Sequence, residues 1–128
     1  MQQGLVIVVD DDDECRDSLV TLLEAAGFAV RAYASGEAFL AGSVSADPFQ
    51  ANRACLLLDF NLPGMNGLAV LEQLRKRRSS LPVILISGAA QADTRERALA
   101  AGAAEMLDKP LPAEQLLGTI GRALAGPA

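Results

Sequence analysis

Asp10 and Asp11 follow the apolar run Leu5-Val6-Ile7-Val8-Val9, and Asp59 follows Cys55 to Leu58. Ser87 follows Pro82 to Ile86, and Lys109 stands two residues past the run Ala103 to Leu107. The first three runs are short and apolar, which suits buried strands, and Ala103 to Leu107 reads as a short fifth strand. If the strands are parallel, their carboxyl ends share one edge, where open α/β sheets place ligands and chemistry. Three carboxylates gathered there repel one another. A hard divalent cation relieves that repulsion, and Mg²⁺ prefers such oxygen ligands with waters completing its shell. Lys109 adds a point positive charge suited to phosphate. Ser87 adds a hydroxyl donor, and Gly88 allows close backbone approach. Together they are equipment for moving a phosphoryl group onto a carboxylate. Singly, each has a bland reading: a solvated helix start for the acidic run, a turn after Asp59, a cap at Ser87, a loop at Lys109-Pro110.

The elements that must position these groups alternate along the chain. After Asp10-Asp11-Asp12-Asp13-Glu14, a helical pattern begins at Cys15, with Leu19, Leu22, Leu23 and Ala26 inside and Gly27 as its stop. Phe28 to Tyr33 alternates like a second strand. Ser35 can cap a short helix to about Leu40, with Glu37 in its first turn and no capping box, because the residue three after the cap is Ala38. Gly42 to Arg53 has no period and reads as a surface loop. Beyond Asp59, the Pro63-Gly64 punctuation gives way near Asn66 to a third helix carrying Leu68, Leu71 and Leu74, broken at Ser79-Ser80. Asp93 and Glu96 have the spacing of a capping box for a fourth helix ending at Gly102. Pro112 suits the first turn of a fifth, whose inner face is Leu116, Leu117, Ile120 and Leu124. Gly118 and Gly121 weaken that helix by roughly 1 kcal/mol each relative to Ala. Five strands alternating with five helices imply right-handed crossovers and a parallel sheet covered on both faces.

Composition narrows the classes. The chain has 128 residues, 51% of them hydrophobic, with four Phe and one Tyr, so one domain with an aliphatic core is expected over residues 1–128, its core at about 4–125. The net charge is −5 with 11 Lys plus Arg, and Arg75-Lys76-Arg77-Arg78 reads as the solvated end of a helix, so direct nucleic-acid binding is not expected. Cys15 and Cys55 fit no zinc spacing, and a reduced, cytoplasmic setting is the simplest reading. No stretch reads as a signal peptide or a membrane span. There is no histidine, so any phosphohistidine chemistry must use a histidine of another molecule. Gly126-Pro127-Ala128 reads as the start of a linker to a further domain.

The joint pattern resembles the receiver domain of two-component response regulators. The resemblance rests on Val8-Val9-Asp10-Asp11-Asp12, on Leu58-Asp59 with Leu62-Pro63-Gly64-Met65-Asn66-Gly67, on Ile86-Ser87-Gly88 and on Lys109-Pro110. Arg16-Asp17-Ser18-Leu19 and Tyr33 to Leu40 look most like receivers of the FixJ type, which usually precede a helix-turn-helix DNA-binding domain. The resemblance implies a flavodoxin-like, doubly wound (βα)5 fold with a five-stranded parallel sheet of order 2-1-3-4-5. It implies Asp59 as phosphoacceptor and Mg²⁺ held by Asp11, Asp59 and the Asn61 carbonyl, with Asp10 acting through a metal-bound water. Lys109 and Ser87 would engage the phosphoryl group, and backbone N–H groups around Phe60, Gly88 and Ala89 would cradle it. Lys109-Pro110 would be cis. The implied partner is a sensor histidine kinase or phosphotransfer protein, with a homodimer through the fourth helix, fifth strand and fifth helix. The implied function is a phosphorylation-controlled switch with transcriptional output, which catalyses its own phosphorylation and hydrolysis without being a metabolic enzyme.

Three departures from the family pattern stand out. Met106 occupies a position that is often aromatic, and strand alternation is expected to place it on an outer face near the last two helices, opposite Lys109. Leu62 replaces the usual Met, and the Gly42 to Arg53 loop is long. Two other readings compete. A Mg²⁺-dependent phosphatase with an Asp nucleophile needs a second acid two residues on, where this chain has Asn61. A receiver-like interaction module acting independently of phosphorylation would leave the acceptor residues without a role.

Overall fold

The apolar runs form the strands. In a computed structural model that describes residues 4–42, 54–77, 81–88, 92–109 and 112–125, β1 is Leu5–Val9, β2 Ala29–Tyr33, β3 Ala54–Asp59, β4 Val83–Ser87 and β5 Glu105–Asp108. Between and after them lie α1 (Asp13–Ala25), α2 (Gly36–Gly42), α3 (Gly67–Lys76), α4 (Ala92–Ala100) and α5 (Ala113–Ala125). The strands pair in parallel in the order β2-β1-β3-β4-β5. The order reverses between β1 and β3, and a crevice outside the strand ends opens at such a point. The expected loop after Gly42, the break at Ser79-Ser80, Ala89, the Lys109-Pro110 peptide and the residues after Ala125 lie outside the described residues.

Strand alternation sorts the core into two layers. Ile7, Val9, Leu56, Leu58, Val83, Leu85 and Met106 pack with Phe39 of α2, Leu71 of α3 and Ala98 of α4. Val6, Val8, Cys55, Leu57, Ile84, Ile86 and Leu107 pack with Leu23 of α1 and Leu116, Ile120 and Leu124 of α5. The same parity carries past the strand ends. Asp10, Asp59 and Lys109 continue the α1/α5 layer, and Ser87 continues the layer of α2, α3 and α4. Met106 is therefore on the face opposite Lys109, as alternation requires. It is not on an outer surface: it is 2% exposed, because α4 covers β5 on that side.

The helix starts follow local chemistry. The Asp12 carboxylate accepts from the Cys15 N–H at 3.0 Å, so α1 starts two residues earlier than the apolar period suggests. Ser35 Oγ accepts from the Ala38 N–H, and Asn66 Oδ1 accepts from the Ala69 N–H. Gly27, at φ 99°, turns the chain out of α1. α4 begins at Ala92, which puts Asp93 inside its first turn rather than at the cap. Pro112 precedes α5, and its carbonyl accepts from the Leu116 N–H.

The basic end of α3 is more than a solvated terminus. Arg75 Nη1 donates to the Ala100 carbonyl at 3.1 Å, and Arg77 Nη1 donates to the Leu40 carbonyl at 3.2 Å. Each guanidinium thus reaches a carbonyl near the C-terminal end of a neighbouring helix, where intrahelical donors run out and cations are favoured. The two bonds join α2, α3 and α4 along one side of the sheet.

Candidate phosphoacceptor site

Asp59 closes β3 and is only 6% exposed. Its Oδ1 accepts from the Asn61 N–H at 3.0 Å, and its Oδ2 accepts from Lys109 Nζ at 3.1 Å. Asp10, 3% exposed, is held by Asp12, whose N–H donates to Asp10 Oδ1 at 2.9 Å. Asp11 is exposed. Oxygens of Asp10, Asp11 and Asp59 nonetheless lie within 4.8 Å of one another. Three carboxylates face one lysine, so the donor set is hard and in charge excess, which fits a divalent cation such as Mg²⁺.

Lys109 feels opposing influences. Burial pulls its pKa down, but the hydrogen bond to Asp59 and the charges of Asp59 and Asp10 outweigh that, leaving it above the ordinary lysine value. The ammonium is therefore a fixed positive charge at neutral pH. The backbone joins these groups: the Lys109 N–H donates to the Ser87 carbonyl at 2.8 Å, extending the β4–β5 ladder. Ser87 itself is buried, at the end of β4.

The loop after Asp59 is held by backbone packing. The Phe60 N–H donates to the Ile86 carbonyl at 2.8 Å, so it belongs to the β3–β4 ladder and does not point into the acceptor site as expected. The Asn61 N–H is the one that reaches the Asp59 carboxylate. The Gly67 N–H donates to the Phe60 carbonyl at 3.0 Å. A Cβ on Gly67 would sit 2.8 Å from both the Asp59 carbonyl oxygen and the Phe60 Cα, so only glycine lets α3 start this close to Asp59. Leu62 is buried and anchors the loop to the core. Gly88 is exposed, and a Cβ there would meet nothing within 4 Å, so no crowding demands glycine at that position.

Cys15 joins the site although its sequence position gave it no role there. It lines a cavity of about 540 Å³ with Asp10, Asp59, Lys109, Leu19 and Leu116. Burial, a hydrogen bond to Asp10 and the Asp10 charge push its thiol up to about 11, so it stays protonated. Its helical spacing from Leu19 and Leu22 was the available signal. Cys55 is a core residue, with burial pushing its thiol up to about 12. Both cysteines are free.

The profile of the response regulator receiver domain matches residues 6–121. The chain belongs to this family. Receiver domains act in phosphorylation-dependent signalling, and this receiver domain has the flavodoxin-like sheet that the family shares. It is 35% identical over 119 residues to the transcriptional regulatory protein FixJ of Azorhizobium caulinodans, covering 93% of this chain and 54% of that one. It is 35% identical to the DNA-binding transcriptional regulator NtrC of Salmonella typhimurium, covering 98% of this chain and 26% of that one. Among solved structures, FixJ-N superposes with a TM-score of 0.86 at 31% identity, over 100% of this chain and 98% of that one. Full-length FixJ from B. japonicum superposes with a TM-score of 0.87 at 29% identity, over 98% of this chain and 59% of that one. The receiver domain thus spans about half the length of its FixJ relative, or less for NtrC. No helix among the described residues is long and apolar enough to cross a membrane.

Proposed function

We propose that Asp59 is the residue that takes the phosphoryl group, from a phosphohistidine of a sensor kinase or phosphotransfer protein. The observation that carries this is the Lys109–Asp59 pair at 3.1 Å beside the cluster of Asp10, Asp11 and Asp59. An Asp59 oxygen attacks phosphorus, forming the O–P bond as the P–N bond breaks, and the bonding pair returns to the donor's imidazole. The Asn61 N–H holds the Asp59 carboxylate in line during attack. Lys109 moves its charge from the carboxylate to the phosphoryl oxygens as those oxygens become part of the protein. The Ser87 hydroxyl donates to the same group. Mg²⁺, held by Asp11, Asp59 and the Asn61 carbonyl with Asp10 behind a water, would supply charge neutralisation at the phosphoryl oxygens.

The same groups serve hydrolysis of the acyl phosphate, so the domain catalyses both its own phosphorylation and its return. A residue two past Asp59 that cannot donate a proton, Asn61, separates this site from an acid-assisted phosphomonoesterase. The names of the FixJ and NtrC relatives support a transcriptional output beyond this domain, and the face of α4, β5 and α5 is the proposed homodimer surface. Unpaired cysteines fit a cytoplasmic setting.

Intact mass after incubation with a small acyl-phosphate donor tests the acceptor. One phosphoryl group is expected on the wild type with Mg²⁺, and none with chelator or in Asp59→Asn. Undiminished modification of the Asn variant would remove Asp59 from this role.

A further inference from the structure

Arg16 stands in the first turn of α1, where a positive charge opposes the helix dipole. Helix stability therefore does not explain it. Its side chain is half-buried and reaches back over the turn. Nη1 donates to the backbone carbonyl of Asp10 at 2.8 Å, and Nη2 pairs with the Asp13 carboxylate. The Asp13 side chain is 83% exposed, so that pair contributes little. The bond to Asp10 has a different consequence. The carbonyl it fixes belongs to the peptide between Asp10 and Asp11, and a planar peptide with a fixed carbonyl sets how the chain enters Asp11. Asp10 is already secured, through its N–H to the Tyr33 carbonyl at 3.1 Å and its Oδ1 to the Asp12 N–H. Asp11 is exposed, and among the described residues no side-chain hydrogen bond holds it. Its carboxylate still lies with those of Asp10 and Asp59.

We propose that Arg16 is a positioning residue for the acidic cluster: through the Asp10 carbonyl it aims the Asp11 carboxylate at the divalent cation. This rests on the reading of that cluster as a cation site. Partners that orient a metal's ligands typically cost about 10–100-fold in affinity when lost. A guanidinium that acted only by its charge would do the reverse, repelling the cation, so the two roles differ in sign.

The test is a Mg²⁺ titration of this chain followed by the amide NMR signals of Asp11 and Asp12, with melting measured in parallel. Arg16→Met keeps the packing of the stem and drops the donors. Its Mg²⁺ dissociation constant is expected to rise about tenfold. Arg16→Lys, which keeps a donor, is expected to recover most of that loss, and Asp13→Asn to bind as the wild type does. In metal-free protein the Asp11 amide signal should move in Arg16→Met and stay in Asp13→Asn. Equal or tighter Mg²⁺ binding by Arg16→Met, even with a lowered melting temperature, overturns the proposal, as does Arg16→Lys binding as weakly as Arg16→Met. If the wild type bound no Mg²⁺, the cation reading would fall, and an unmoved metal-free Asp11 signal would overturn the brace separately.

Discussion

Lys109 Nζ lies 3.1 Å from Asp59 Oδ2, a contact between residues fifty apart in sequence. It forms because β3 and β5 flank β4 and both side chains fall on the α1/α5 side. The folded-state pKa of Lys109 is raised. Its contribution to stability is therefore complete below the ordinary value of 10.5 and is lost as pH rises through the folded value. Lys109→Met, measured without Mg²⁺, should lower stability at neutral pH. About a third of the lysine side chain is exposed, so the loss should be on the order of 1 kcal/mol rather than that of a fully buried pair. Melting curves from pH 7 to 11 should show the gap between variant and wild type constant at first and shrinking above pH 10.5. A gap that widened there would contradict the pairing.

Mg²⁺ should stabilise the fold, because the cluster of Asp10, Asp11 and Asp59 exists only when β1 and β3 are paired. At a hundredfold excess over the dissociation constant the gain is about 2.7 kcal/mol. Thermal melts of wild type and Asp11→Asn against Mg²⁺ concentration check this. Equal responses would show that Asp11 is not a ligand.

Gly67→Ala should damage both fold and site. The added Cβ meets backbone atoms of Asp59 and Phe60 at 2.8 Å, and neither can swing away as a side chain could. Overpacking of this kind costs about 1–3 kcal/mol. Denaturant midpoints give the stability loss, and acyl-phosphate labelling should slow in the fraction that stays folded. Gly88→Ala, with open space around its Cβ, serves as the comparison and should lose much less stability.

Met106→Tyr should destabilise rather than pass silently. Met106 is 2% exposed within the layer that contains Ala98 and Leu85, so a larger ring must displace neighbours there. A cost of about 1–3 kcal/mol is expected. Met106 and Ser87 share that face, with Met106 paired to Leu85 two residues before Ser87. Methionine's flexible torsions adapt to several packings. NMR of the Met106 methyl with and without a phosphoryl mimic should show two exchanging environments in wild type before the mimic is added. A single sharp state before and another after would remove residue 106 from the switch.

Much of the site follows from two local periods. Alternation along buried strands decides which side of the sheet Asp10, Asp59 and Lys109 take, and the 3.6-residue period with Ser35 as a cap decides where the short second helix starts. These depend on neighbours in sequence, so they were legible before any packing was known. The acidic run concealed a cap, Asp12, because five consecutive acids look alike until one carboxylate meets the Cys15 N–H. Contacts made by long side chains across elements have no period and stayed hidden: Arg75 and Arg77 reaching carbonyls of other helices, and Arg16 folding back on Asp10. The burial of Met106 was decided the same way, since alternation chooses a face but only the position of α4 determines whether that face meets solvent. The Phe60 N–H went to the ladder rather than the site because β3 and β4 remain paired one residue past the last apolar side chain. Side-chain type and period place groups on an edge, and the distances between them depend on how twisted strands and covering helices settle against each other.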